Sequence, residues 1–238
     1  LLSIDKVDAL YTEFSGVSAA VSPIAQEAGK TLVYSTYNQA IADRNPHSIK
    51  TFISFEVACK KLAEYLNDSS KKILIVSSIG DTAPFCARGL ENGIAKENIK
   101  VIDAFAGKDF RTLLLQQSEF NPDYIIPIMY EDGAYALLKQ INELKMDVGV
   151  FSYKQDVATD KNIAELPFEA TNNVIYFEAP IGAEFIAKIR AVHPDMSDDD
   201  IQGAANAYQS MIALGIGLAE CEDKSAECVT SVLANKKD

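Results

Sequence analysis

Between Val101 and Tyr153 the chain reads as two strand–helix units, and that stretch limits the fold more than any other. Val101-Ile-Asp-Ala-Phe105 is a short apolar strand, and Gly107-Lys-Asp-Phe110 turns into an amphipathic helix over 111–119. Asn121-Pro-Asp123 stops that helix, Tyr124-Ile-Ile-Pro-Ile-Met129 is the next strand, and a helix follows over 134–144. Residues 148–153 return as a strand. Apolar runs of five or six residues alternating with helical periodicity predict an α/β fold with a parallel sheet covered on both faces. In such sheets ligands bind beyond the carboxyl ends of the strands. The turns at Tyr130-Glu131-Asp132 and Tyr153-Lys154-Gln155-Asp156 are therefore candidate ligand sites.

The same alternation extends in both directions. A strand over 7–11 leads through Ser15-Gly16-Val17-Ser18 into a helix over 19–28, with Gly29 placed to cap it. A second strand spans 31–35, and 36–48 reads as a loop. A helix over 56–66, a strand over 73–77 and a helix over 85–95 follow, with Pro84 suited to a first helical turn. After Tyr153 come a loop, a strand over 173–178, and three helices over 183–192, 199–219 and 228–234. Two strands with one helix cannot bury their own faces. The tail helices are the natural cover for them, which predicts two lobes: 1–52 with 180–238, and 53–179.

Composition narrows the function classes. A hydrophobic fraction of 48% suffices for a packed core, and a net charge of −12 argues against a nucleic-acid partner, where Lys and Arg must replace counterions. No run approaches the roughly 18 apolar residues of a membrane span. Leu1-Leu2-Ser3-Ile4-Asp5 reads as the end of a helix leading into a strand rather than as a signal peptide. Cys221 and Cys228 flank a polar loop short enough to close a disulfide, which would imply an oxidising compartment; the alternative is two unpaired thiols. Cys59 and Cys86 receive no partner from sequence alone, which predicts two free thiols. His47 and His193 stand far from any cysteine cluster and no CxxC occurs, so no metal is expected.

Several motifs admit a structural and a ligand-binding reading. Ser15-Gly16-Val17-Ser18 opens a helix, where hydroxyls and free backbone N–H groups favour a carboxylate or simply cap the helix. Thr36-Tyr37 follows the neighbouring strand and faces the same edge, or is a plain turn. Gly80-Asp81-Thr82 ends another strand; it lacks the spacing of a dinucleotide or phosphate loop, so it caps the next helix or touches a ligand. Ser197-Asp-Asp-Asp200 has the spacing of a capping box. No GxSxG elbow is present, and no cofactor loop. Glu131 and Asp156 are able to serve as acids or bases, or to hold a ligand ammonium, with Tyr130 and Tyr153 supplying packing surface.

Taken in succession, these residues carry a resemblance. Lys6-Val-Asp-Ala-Leu-Tyr11, Ser15-Gly-Val-Ser18 and Pro23-Ile-Ala-Gln-Glu-Ala-Gly29 resemble the periplasmic branched-chain amino-acid-binding proteins of ABC transporters. So do Phe105-Ala-Gly-Lys-Asp-Phe110, Asn121-Pro-Asp-Tyr124 and Leu138-Lys-Gln-Ile141. The resemblance implies a two-lobed type I periplasmic-binding-protein fold with doubly wound sheets. It places crossovers near 48–55 and 178–182, and implies hinge closure on a ligand held between the lobes. It also implies that the first lobe is incomplete in this chain, since family members carry further sections at both ends.

By the same resemblance Ser15 and Gly16 hold a ligand carboxylate, Thr36 and Tyr37 line the site, and Thr82 stands where a tyrosine is usual. Tyr130 matches a family aromatic. The family acid that receives an α-ammonium falls near Tyr153, where no acid stands, and Glu131 or Asp156 are the substitutes. The implied function is a periplasmic solute-binding receptor, not an enzyme. Its implied partners are a small amino acid or related carboxylate and a membrane permease. A ligand-sensing domain of a signalling receptor, or an α/β enzyme using Glu131 or Asp156 as base, are the competing readings.

Overall fold

Apolar strands buried on both faces form the centre of each sheet. The computed structural model describes residues 5–79, 82–104, 109–157 and 164–235. The chain divides into two compact units: Leu1–Ile53 with Ile181–Asp238, and Ser54–Pro180.

The first unit is built on a three-stranded parallel sheet in the order β1-β2-β3, comprising β1 (Ala9–Glu13), β2 (Thr31–Ser35) and β3 (Ser48–Lys50). Helices α1 (Ser15–Glu27) and α2 (Ala40–Arg44) cover one face through a core of Ala25, Leu32, Tyr34 and Ile41. The sequence reading of 36–48 as a loop is therefore corrected. Asn38 Oδ1 accepts the Ala40 amide at 3.0 Å and starts α2, and Tyr34 Oη accepts the Ala42 amide at 3.0 Å. Gly29 adopts φ 63° just past α1, where a side chain would be strained.

The second unit holds a five-stranded, wholly parallel sheet in the order β5-β4-β6-β7-β8. Its strands are β4 (Ile73–Ser77), β5 (Ile99–Asp103), β6 (Tyr124–Ile128), β7 (Gly149–Tyr153) and β8 (Val174–Phe177). Between them run α3 (Phe55–Leu66), α4 (Thr82–Leu90), α5 (Arg111–Gln116), α6 (Glu131–Glu143), α7 (Lys154–Val157) and α8 (Phe168–Thr171). The helices α3 and α4 lie unusually close: a Cβ on Gly89 would sit 2.2 Å from the Glu56 carbonyl oxygen. The same pair is cross-linked by Cys59–Cys86, with Cα atoms 5.2 Å apart, so the two free thiols expected from sequence are corrected to none.

The tail returns to the first unit as α9 (Ala183–Val192), α10 (Asp198–Glu220) and α11 (Ala226–Asn235). Helix α10 packs on β1 and β2, and α11 on β2 and β3. Ser197 caps α10 by accepting the Asp200 amide at 3.1 Å. Cys221 and Cys228 are bonded to each other between α10 and α11. Among the described residues no helix is long and apolar enough to cross a membrane, and no His, Cys, Asp and Glu cluster could hold a metal ion.

Candidate functional site

All three strands of the first sheet run parallel, so their carboxyl ends share one edge, and the turns that leave them present residues 13–16, 35–38 and 50–53 there. At the end of β1, Phe14 takes φ 64°, a left-handed conformation for a non-glycine residue, and swings the chain from strand into α1. No side chain caps this helix. Its hydrogen-bond ladder opens with the Ser18 amide on the Phe14 carbonyl at 3.0 Å, so the amides of Ser15, Gly16 and Val17 precede it.

Ser15 is only 7% exposed, and its Oγ is buried without a hydrogen-bond partner. A buried hydroxyl left unmet costs free energy unless something accepts from it or donates to it. Space opens beside it: a Cβ built on Gly16 meets nothing within 4 Å. The positive end of the α1 dipole, the early amides and the Ser15 hydroxyl together suit an anion.

The neighbouring candidates have other duties. Ser18 is fully buried and its Oγ accepts from Thr12 Oγ1 at 2.9 Å, which ties α1 to β1. Thr36 Oγ1 accepts the Asn38 amide at 3.1 Å and shapes the turn after β2. Tyr37 is buried and packs edge-on against Phe52, with ring centroids 5.1 Å apart. At the end of β3, Lys50 Nζ donates to the Phe52 and Ile53 carbonyls at 2.9 and 2.8 Å, and burial pulls its ammonium down to about 8.

On the α10 side of the edge, Tyr11 Oη donates to Glu13 Oε1 at 2.6 Å. Burial, followed by that bond, pushes the phenol up to about 12, with Ser210 and Ser35 beside it. Ser210 in turn lies 2.7 Å from Thr51 Oγ1. Sequence reasoning missed Glu13 and Lys50, because it ended the first strand at Tyr11 and saw no strand at 48–50.

The second unit has its own carboxyl edge. Thr82 is fully buried at the start of α4 with its Oγ1 unpartnered, and Ser152, unmarked by any sequence motif, is equally buried and unpartnered near the end of β7. Tyr130 is 47% exposed and precedes α6, which Glu131 opens. Tyr153 is buried against Phe177, centroids 5.7 Å apart. Asp156 is buried within α7, so the loop expected after Tyr153 is corrected to a short helix. Asp81 lies outside the described residues. A hollow of about 530 Å³ bordered by Asn142, Lys145 and Asn173 lies at the opposite, amino-terminal end of this sheet, away from all of these groups.

No family profile matches the chain, and no curated protein sequence matches it. Solved structures do. A type 1 periplasmic binding protein from Bordetella pertussis superposes with a TM-score of 0.79 at 15% identity, over 100% of this chain and 72% of its own. The chain has the type I periplasmic-binding-protein fold. Two further structures share it. The branched-chain amino-acid transporter substrate-binding protein LivJ from Streptococcus pneumoniae, in complex with isoleucine, gives 0.73 at 18% identity over 100% and 71%. An ABC-transporter solute-binding protein from R. palustris, in complex with 4-hydroxybenzoate, gives 0.71 at 19% identity over 98% and 67%. This type I fold thus spans nearly all of the present chain and about seven tenths of each of these neighbours. Beneath 20% identity, what is shared is the fold.

Proposed function

We propose that the protein is an extracytoplasmic solute-binding receptor for a small carboxylate, an amino acid or a related acid, serving the membrane permease of an ABC importer. The observation that carries this reading is Ser15: a buried, unpartnered hydroxyl at the uncapped amino end of a 13-residue helix, beside an open glycine. An anionic oxygen there accepts from the hydroxyl and from the early amides of α1, and gains from the helix dipole. The neighbours' own ligands, isoleucine and 4-hydroxybenzoate, are both small carboxylates. Two disulfides favour an oxidising compartment such as the periplasm. In this reading Thr36 and Tyr37 shape the same edge, while Thr82, Tyr130, Glu131, Tyr153 and Asp156 are candidates at the second unit's own carboxyl edge.

The test is mass spectrometry of whatever the purified protein releases on denaturation, followed by calorimetric titration of that compound. Ser15→Ala should weaken binding by about tenfold or more, the equivalent of one charge-assisted hydrogen bond. Asp199→Ala, at the start of α10, should have a smaller effect. Equal affinity of Ser15→Ala and the parent protein would remove this residue from the site.

A further inference from the structure

The turn from α3 into β4 carries Asn67-Asp68-Ser69, the one Asn-x-Ser/Thr triplet in the chain. Asn67 ends α3 in the left-handed region, at φ 46° and ψ 38°, with its amide on the Ala63 carbonyl at 3.0 Å. That backbone accounts for an asparagine, which tolerates the conformation better than most residues. It does not account for a serine two positions on. Asp68 holds the turn by itself: Oδ1 accepts the Ser70 amide at 3.0 Å and the Ser70 hydroxyl at 2.7 Å. Ser69 contributes only its carbonyl, which accepts from the Ala95 amide and from Asn98 Nδ2, both at 3.1 Å. The Asn67 carboxamide and the Ser69 hydroxyl are thus exposed, and neither has a hydrogen-bond partner among the described residues. The last turn of α3 is equally open, with Tyr65 72% exposed.

We propose that Asn67 is an N-glycosylation site, the acceptor for a sugar delivered from a lipid-linked diphosphate donor. Such acceptors are Asn-x-Ser/Thr triplets in surface turns of exported proteins, and the two cystines fit the oxidising compartment that export implies. In the transfer, Asn67 Nδ2 forms a bond to the anomeric carbon of the sugar as that carbon's bond to the diphosphate oxygen breaks. Nδ2 gives up one proton, the lipid diphosphate leaves, and neither partner is oxidised or reduced. An amide nitrogen is a poor nucleophile because its lone pair is delocalised into the carbonyl, so the transfer needs an enzyme that reads the Ser69 hydroxyl. The site also stands clear of ligand capture. It precedes β4, at the amino-terminal end of the parallel sheet, whereas Thr82 and Ser152 belong to the carboxyl edge. A bulky, solubilising group on Asn67 leaves that edge open.

The experiment is peptide mass spectrometry of the intact protein purified from its natural source. Trypsin releases residues 62–71 as one peptide, which should carry the mass of a glycan on Asn67 and shed sugar ions on fragmentation. Ser69→Ala, expressed in the same source, should leave this peptide unmodified, and Ser69→Thr should keep it modified. Asn67→Gln should also abolish the modification, but glutamine suits a positive φ less well, so Ser69→Ala is the cleaner variant. Finding only the bare peptide in the parent protein overturns the proposal. So does a glycan that survives Ser69→Ala, or one attached to a serine hydroxyl. Circular dichroism of each variant separates loss of the acceptor from loss of folding. The carboxylate reading of Ser15 stands or falls independently, by titration.

Discussion

Cys59 on α3 and Cys86 on α4 are bonded, with their Cα atoms 5.2 Å apart and both side chains fully buried. The bond closes a loop across 27 positions of sequence, and the loop-entropy relation gives about 3–4 kcal/mol for a loop of that size. Thiol titration of the denatured, unreduced protein should find no free thiol. A Cys59→Ala/Cys86→Ala variant should lose about 3 kcal/mol in a urea titration, and an unchanged midpoint would show that helix packing alone sets the stability there.

Gly89 reports the closeness of the same two helices in another way. A methyl group there would press on the Glu56 carbonyl at 2.2 Å and the Lys60 nitrogen at 2.9 Å, both backbone atoms that cannot swing aside. Gly89→Ala should therefore destabilise by about 1–3 kcal/mol, despite the higher helix propensity of alanine. A stabilised variant would mean that α4 is free to shift away from α3.

Ser15 should separate stability from binding. Its buried hydroxyl makes no bond within the protein, so its removal takes away a desolvated group rather than a contact. Ser15→Ala should leave the unliganded protein as stable as before, or more stable by up to about 1 kcal/mol, in chemical denaturation. A loss well beyond 1 kcal/mol would assign the hydroxyl a structural role instead.

Lys50 predicts a pH dependence of definite sign. Its folded pKa, about 8, lies below the ordinary lysine value, so between about 8 and 10.5 the unfolded chain binds more protons than the folded one. Stability from this residue rises with pH through that window, and the burden is greatest below it. Denaturation curves from pH 7 to 10.5 should show the parent protein gaining on Lys50→Met as pH climbs. Tyr11 acts in the opposite sense at higher pH, since its phenol keeps its proton to about 12, but it is common to both proteins and cancels. Parallel curves would show that Lys50 is well solvated.

What the sequence revealed and what it hid divide along physical lines. Strands β4, β6 and β7 are buried on both faces, so they read as unbroken apolar runs and were legible. Strand β3 is Ser-Ile-Lys, three residues at a sheet edge with no apolar run to show, and α2 is too short to display a period. The first turn of α1 is polar, which is why periodicity placed the helix start four residues late. Ser15 could be located from its place between a strand and a helix. That its hydroxyl is buried and unpartnered depends on β1 and α1 folding together. Glu13 was hidden because β1 runs two residues past the Tyr11 at which the apolar pattern ends.

The two cystines also dictate how the molecule would come apart under a protease. One lies wholly within Ser54–Pro180, the other within Ile181–Asp238, and Leu1–Ile53 carries none. Nicks at both chain passages, near 53 and near 180, would yield three fragments sharing no covalent link, so non-reducing electrophoresis should resolve them as three bands. The middle fragment would leave as one self-stapled piece. The outer two would then have only the packing of the tail helices on the β1-β2-β3 sheet to hold them together.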